Sequence, residues 1–221
     1  VSGELVSDLR DVDPYYDFSY AASGVQPREE LAPLIESFFP GMTVRGPIAI
    51  DEHTHARWSG ARAGDYPTGP GSMKIEGGTI AGRAAPAAVT RIFPGLNLVE
   101  FDFRRMRNWF DKLSDGRTHN RMIFIGNIYN IYVDGYTFPD DRIQYEVGID
   151  LLARWENPYW AERAQGRIAL FHKTGVAQPG GTLKDERVRY LAPHEIMGRI
   201  LRDNLVTTAY YALIKQLRRG D

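Results

Sequence analysis

The chain has 221 residues, with 27 Lys and Arg against 28 Asp and Glu, a net charge of −1, and 43% hydrophobic residues. That is enough chain to bury a substantial core in one large domain. The near-neutral balance, with no basic run longer than Arg104–Arg105 or Arg218–Arg219, argues against a nucleic-acid partner. No cysteine is present, which removes disulfides, thiolate nucleophiles and thiolate zinc sites.

In chain order, residues 1–27 are mixed and turn-rich and read as an extended N-terminal arm. "VSGELVSDLRDVDPYY" lacks a charged segment followed by an apolar stretch, so no signal peptide is expected and a cytoplasmic location is the default. No apolar run approaches the roughly 18 residues of a spanning helix, so no membrane span is expected. "PREELAPLIESFFPG" predicts a helix over 27–41, with early acids, apolar Leu31, Leu34, Ile35 and Phe38 at helical spacing, and Pro40-Gly41 as a stop. Residues 42–50 alternate and predict a short strand. Gly and Pro content makes 59–73 a loop. "KIEGGTIAG" predicts a strand, "RAAPAAVTRIF" a short helix, "LNLVEFDF" a strand and "RRMRNWFDKLSDG" a helix carrying Met106, Trp109, Phe110 and Leu113 on one side.

The strongest β signal lies over 121–155. "RMIFIGNIYNIYVDGYTF" and "RIQYEVGIDLLARW" flank the turn "PDD" as two strands of a hairpin, the second with apolar residues at every odd position from Ile143 to Trp155. Glu146 and Asp150 fall on its polar face, where exposure is the default. "GRIALFHKTG" predicts another strand and "QPGGTLKDE" another loop. A long helix over about 193–218 closes the chain, with Met197, Ile200, Leu201, Leu205, Ala209, Leu213 and Leu217 as its apolar stripe. The organisation is therefore an arm (1–27), an α+β domain with a curved antiparallel sheet packed on helices (28–192), and a C-terminal helix (193–221) docking on the domain or on a partner subunit.

Within this frame, Gly82-Arg83-Ala84, Phe93-Pro94-Gly95, Tyr129-Asn130-Ile131-Tyr132-Val133 and Asp140-Asp141-Arg142-Ile143 with Asp150 resemble the NTF2-like superfamily, the SnoaL-like and ketosteroid-isomerase-like proteins. The resemblance covers roughly residues 75–152. It implies a cone-shaped α+β fold around an apolar pocket, a frequent dimer, and a mix of isomerases, dehydratases, hydrolases and non-catalytic binding modules.

Chemistry concentrates first in "DEHTHAR". An extended backbone places Asp51, His53, His55 and Arg57 on one face. Two histidines at i and i+2 can share a metal, as in cupins, but the nearby Glu of that pattern is missing, so a metal site would need His119, His172 or His194 brought in by folding, or Asp51 itself. A metal-free site asks for less: His53 or His55 as the base, Asp51 orienting it, in a dry enclosure. The plainer alternative is a polar strand end paired with surface acids. Tyr129, with Asn127 assisting, is the candidate oxyanion donor; its plainer alternative is a hydroxyl bonded to backbone at the sheet rim. Trp58, Tyr132 and Tyr145 are further candidate substrate contacts. No phosphate-loop or nucleophile-elbow motif is present.

Three functions follow as expectations. The leading one is a cofactor-independent lyase or isomerase moving a proton on a small apolar, polycyclic or polyketide-like substrate, as a homo-oligomer. The second is a non-catalytic binding or assembly protein using its arm and C-terminal helix. The third is a cupin-like HxH metal-binding protein.

Overall fold

The computed structural model describes residues 2–7, 10, 15–26, 42–57, 66–81, 86–150, 166–178 and 183–202. These residues form one antiparallel sheet. Its strands are β1 (Ser2–Ser7), β2 (Tyr15–Val25), β3 (Met42–Val44), β4 (Ile48–Arg57), β5 (Gly69–Ile75), β6 (Gly78–Ala81), β7 (Glu100–Lys112), β8 (Thr118–Gly126), β9 (Asn130–Thr137), β10 (Arg142–Asp150), β11 (Arg167–Ala177) and β12 (Leu183–Tyr190). The order is a meander, β1-β2-β4-β5-β7-β8-β9-β10-β11-β12, with β3 paired to β6 and β6 to β7.

β3 and β4 are two halves of one bent strand, and so are β5 and β6. β5 pairs with Met106–Lys112 of β7 and β6 pairs with Glu100–Phe103 of the same strand. Both bends lie at one level. Pro47 has no N–H for the ladder, Gly77 takes a positive φ of 95°, and the Arg45 and Gly46 N–H groups donate to the Gly77 carbonyl.

One face of the sheet carries the main core. Ile75, Phe103, Met106, Met122, Phe124, Ile131, Val147, Ile149, Ile168 and Leu170 are buried together with Val89 and Phe93 of the short helix Ala87–Ile92 and with Leu191 and Ile196 near the C-terminus. On the opposite face Ile123 and Tyr132 are buried with Trp109 and Ile125 packed against them.

The α+β expectation is overturned. Among the described residues only Ala87–Ile92 and 193–202 are helical, and the fold is sheet-dominated. The short helix falls inside the predicted 83–93. The predicted helix over 104–116 is instead most of β7: a bulge between Phe103 and Arg105 shifts the alternation, so Phe103, Met106, Asn108 and Phe110 all face the core. That mixture of spacings imitates a helical stripe. Of the predicted long C-terminal helix, residues 193–202 are described and helical; its predicted continuation over 203–218, and the predicted helix over 27–41, lie outside the described residues.

Segment 121–138 is not one strand but the β8–β9 hairpin, reversing at Asn127–Tyr129. The arm contributes β1 and β2, and the predicted loops 59–73 and 178–186 supply parts of β5 and β12.

Met106→Ala, in the centre of the core, is expected to cost about 2–5 kcal/mol. Val99→Ala, at an exposed position, should stay within about 0.5 kcal/mol. Urea denaturation of the two variants measures the contrast.

Candidate functional site

β4 alternates strictly: Ile48, Glu52 and Thr54 are buried while Asp51, His53 and His55 are exposed. The extended backbone does put Asp51, His53 and His55 on one face, but it is the wet one. The His53 and His55 side chains are 56% and 52% exposed. Each ring is engaged by its cross-strand neighbour on β2: His53 Nδ1 lies 2.8 Å from Ser19 Oγ, and His55 Nδ1 contacts the Asp17 carboxylate. Asp51 Oδ1 stands 3.6 Å from His53 Nε2. The dry enclosure that a proton-transfer role requires is therefore missing at these histidines. Among the described residues no group of three or more potential ligands is arranged to hold a metal.

The other predicted site residues are dispersed. Tyr129 donates its hydroxyl to the Pro94 carbonyl at 2.7 Å, a backbone bond at the rim of the sheet, and meets Phe93 edge-on. β4 and the start of β9 are separated by β5, β7 and β8, which at about 4.8 Å per strand is roughly 19 Å along the sheet. Asn127 is exposed in the β8–β9 turn. Tyr132 points to the outer face and donates to Glu146 Oε1 at 2.8 Å. Tyr145 bonds Thr137 Oγ1 at 2.8 Å on the core face. Trp58 lies outside the described residues.

The structure gathers a different set. Along the core face one cross-strand row runs Glu52, Gly71, Phe110, Asn120, Gly135 and Tyr145. The two glycines matter by absence. A Cβ on Gly71 would come within 2.3 Å of the Phe110 ring, and one on Gly135 within 2.9 Å of the Tyr145 ring. Two aromatic rings thus lie over bare backbone, and polar groups fill the band beside them.

At one end Glu52, 6% exposed, accepts from Tyr20 at 2.8 Å, from Thr54 at 2.6 Å and from the Lys112 ammonium. Burial pushes the Glu52 carboxyl upward, but the hydrogen bonds from Lys112, Thr54 and Tyr20 outweigh it and hold the group below the ordinary range. Burial, the bond to Glu52 and its charge push the Tyr20 hydroxyl up to about 12.

At the other end Asn108 donates to Asn120 at 3.0 Å, and Asn120 reaches Thr137 and Tyr145, each at 3.3 Å. Burial raises the Tyr145 hydroxyl as well. Glu52 stays ionised and both phenols stay protonated near neutral pH, so none of them is poised to exchange a proton there. The band is a satisfied hydrogen-bond network that specifies how the sheet packs.

A second network occupies the outer face. Asp134 contacts His119 Nε2 at 2.8 Å and Arg167 at 2.9 Å, while Glu146 accepts from Tyr132 and from Arg199 at 3.0 Å. Asp150, expected to be exposed, is 1% exposed, with Arg167 Nε at 3.8 Å. The signal for Glu52 was present in the sequence: it continues the phase of Ile48 and Ile50, whereas the histidines occupy the opposite phase.

Comparison with family models, with curated proteins and with solved structures returns no match. The NTF2-like resemblance thus rests on its short motifs alone, and the α+β cone it implied is not the architecture seen here. No helix among the described residues is long and apolar enough to cross a membrane.

Lys112→Met leaves a buried carboxylate short of its cationic partner. With Lys112 itself 34% exposed, the expected cost is about 1–3 kcal/mol. His53→Ala should stay within about 0.5 kcal/mol. Chemical denaturation tests both.

Because Glu52 is depressed in the fold, its contribution is present above the ordinary glutamate value of 4.5 and is lost as pH falls below it. Between about pH 5 and pH 3, wild type should lose stability more steeply than Glu52→Gln.

Proposed function

We propose that this chain is a non-catalytic binding and assembly module whose N-terminal arm pairs with a second copy of itself along β1. The observation that carries this reading is the state of that edge. All six residues of β1 are exposed, with Leu5 at 55% and Val6 at 53%. Leu5 lies opposite Phe18, itself exposed, and the Phe18 and Tyr20 rings stand 5.6 Å apart on the same face. An apolar strip therefore runs toward the core from an edge that has no partner strand among the described residues.

The two ends of the meander are protected differently. β12 carries Lys184, Asp185, Glu186, Arg187 and Arg189 along its length, the charged pattern that discourages edge pairing. β1 carries a single charge, Glu4.

The arm's sequence also favours a second copy over an unrelated strand. Two identical antiparallel strands meet about a two-fold axis normal to the sheet, so one residue faces its own equivalent. Centring on Leu5 sets Leu5 against the second copy's Leu5 and Glu4 against Val6. Centring on Glu4 would oppose two carboxylates, which is unfavourable. The Leu5 register also brings both Phe18 rings beside the paired leucines.

Met197 and Leu201 are exposed four residues apart on 193–202, and residues 203–221 lie outside the described residues.

Analytical ultracentrifugation of the full chain tests this. Wild type should sediment as a dimer. Leu5→Lys, which exchanges two apolar contacts for two facing ammonium groups, should weaken association by more than about tenfold with an unchanged circular-dichroism spectrum. A wild-type monomer at every accessible concentration, or a Leu5→Lys dimer as tight as wild type, would overturn the proposal.

A further inference from the structure

We propose that Arg107 and Lys74 form a binding site for an oxyanion, the phosphate or carboxylate group of a small ligand, on the outer face of the sheet. Lys74 of β5 and Arg107 of β7 are direct cross-strand partners, and Ile123 of β8 is the next residue in that row. Two cations in register on one face repel unless a counter-charge lies between them. Neither has an ion pair among the described residues.

Their neighbours differ in this respect. On the same face Arg121 is paired with Asp111, Arg167 with Asp134 and Arg199 with Glu146. Every one of those half-buried guanidinium groups has a carboxylate; Arg107 has an aromatic ring instead. Its Cζ lies 4.5 Å from the centre of the Trp109 ring, a contact that supplies no hydrogen-bond acceptor.

The Nε–H groups of Arg107, Arg121 and Arg167 are all buried without a hydrogen-bond partner, but Arg121 and Arg167 each have a carboxylate on the guanidinium and Arg107 has none among the described residues. Burial also pulls the Arg107 guanidinium below its ordinary range, a cost that a bound anion removes. The parts are those an oxyanion needs: a planar fork placed over the Trp109 ring and a second point charge from Lys74 in the neighbouring strand. The site is independent of β1, on which the assembly proposal rests.

Isothermal titration calorimetry of the full chain, with inorganic phosphate in one arm and sodium acetate in the other, provides the test. Saturable uptake of at least one anion is expected. Uptake of phosphate alone marks a phosphorylated ligand, and uptake of acetate alone marks a carboxylate. Arg107→Met should abolish the binding, and Lys74→Met should weaken it by about tenfold.

Arg107→Lys keeps the charge but not the fork, and should weaken binding without unfolding the sheet, which guards against a misfolded methionine variant. Failure of folded wild type to take up either anion saturably would overturn the proposal. So would binding unaltered by both Lys74→Met and Arg107→Lys.

Discussion

Bare glycine positions in β5 shape the polar band on the core face of this sheet. Gly71 stands opposite Glu52 on one side and Phe110 on the other, and a Cβ there would collide with the Phe110 ring. Phe110 covers the backbone at Gly71, and Lys112, which stands opposite Gly69, reaches across β5 to Glu52 on β4. The buried carboxylate is then neutralised and hydrogen-bonded, which is the condition for keeping a charge in a low-dielectric interior. Gly135 repeats the device with Tyr145, and the Asn108–Asn120–Thr137–Tyr145 network follows from it.

Such a network favours specificity over reactivity. Its acid is held ionised and its phenols protonated, so it is unlike the split environments that tune one group to give a proton and another to take it. What the fold leaves unsatisfied lies elsewhere. One is the outer edge of β1, which has no partner strand among the described residues, with exposed Leu5 beside Phe18 of β2. The other is a guanidinium on the outer face that lacks the carboxylate its neighbours possess. These are the features on which the proposed assembly and the proposed oxyanion site rest.

Where alternation was clean, the sequence was legible. β10 was readable from Ile143, Val147 and Ile149, and β11 from its apolar run, since a strand with one wet face must repeat every two residues. β7 was not, because its bulge moves the core-facing set from Phe103 to Met106 and then restores period two. Within the site, the shared face of Asp51, His53 and His55 was readable, but only two residues of the strand, Ile48 and Ile50, marked which face the core would take. Ile48 and Ile50 pointed to the even positions, yet an acid in that phase gains its meaning only from Lys112, sixty residues away.

The sequence by itself determined which residues alternate, where Gly and Pro interrupt them, and that neither thiol chemistry nor a large excess of charge was available. Tertiary structure decided which of the two faces is dry, and with it that the histidines meet solvent while Glu52 does not. The reason is that period two defines a pair of faces without labelling them. The label comes from the strands on either side, through contacts between residues far apart in the chain.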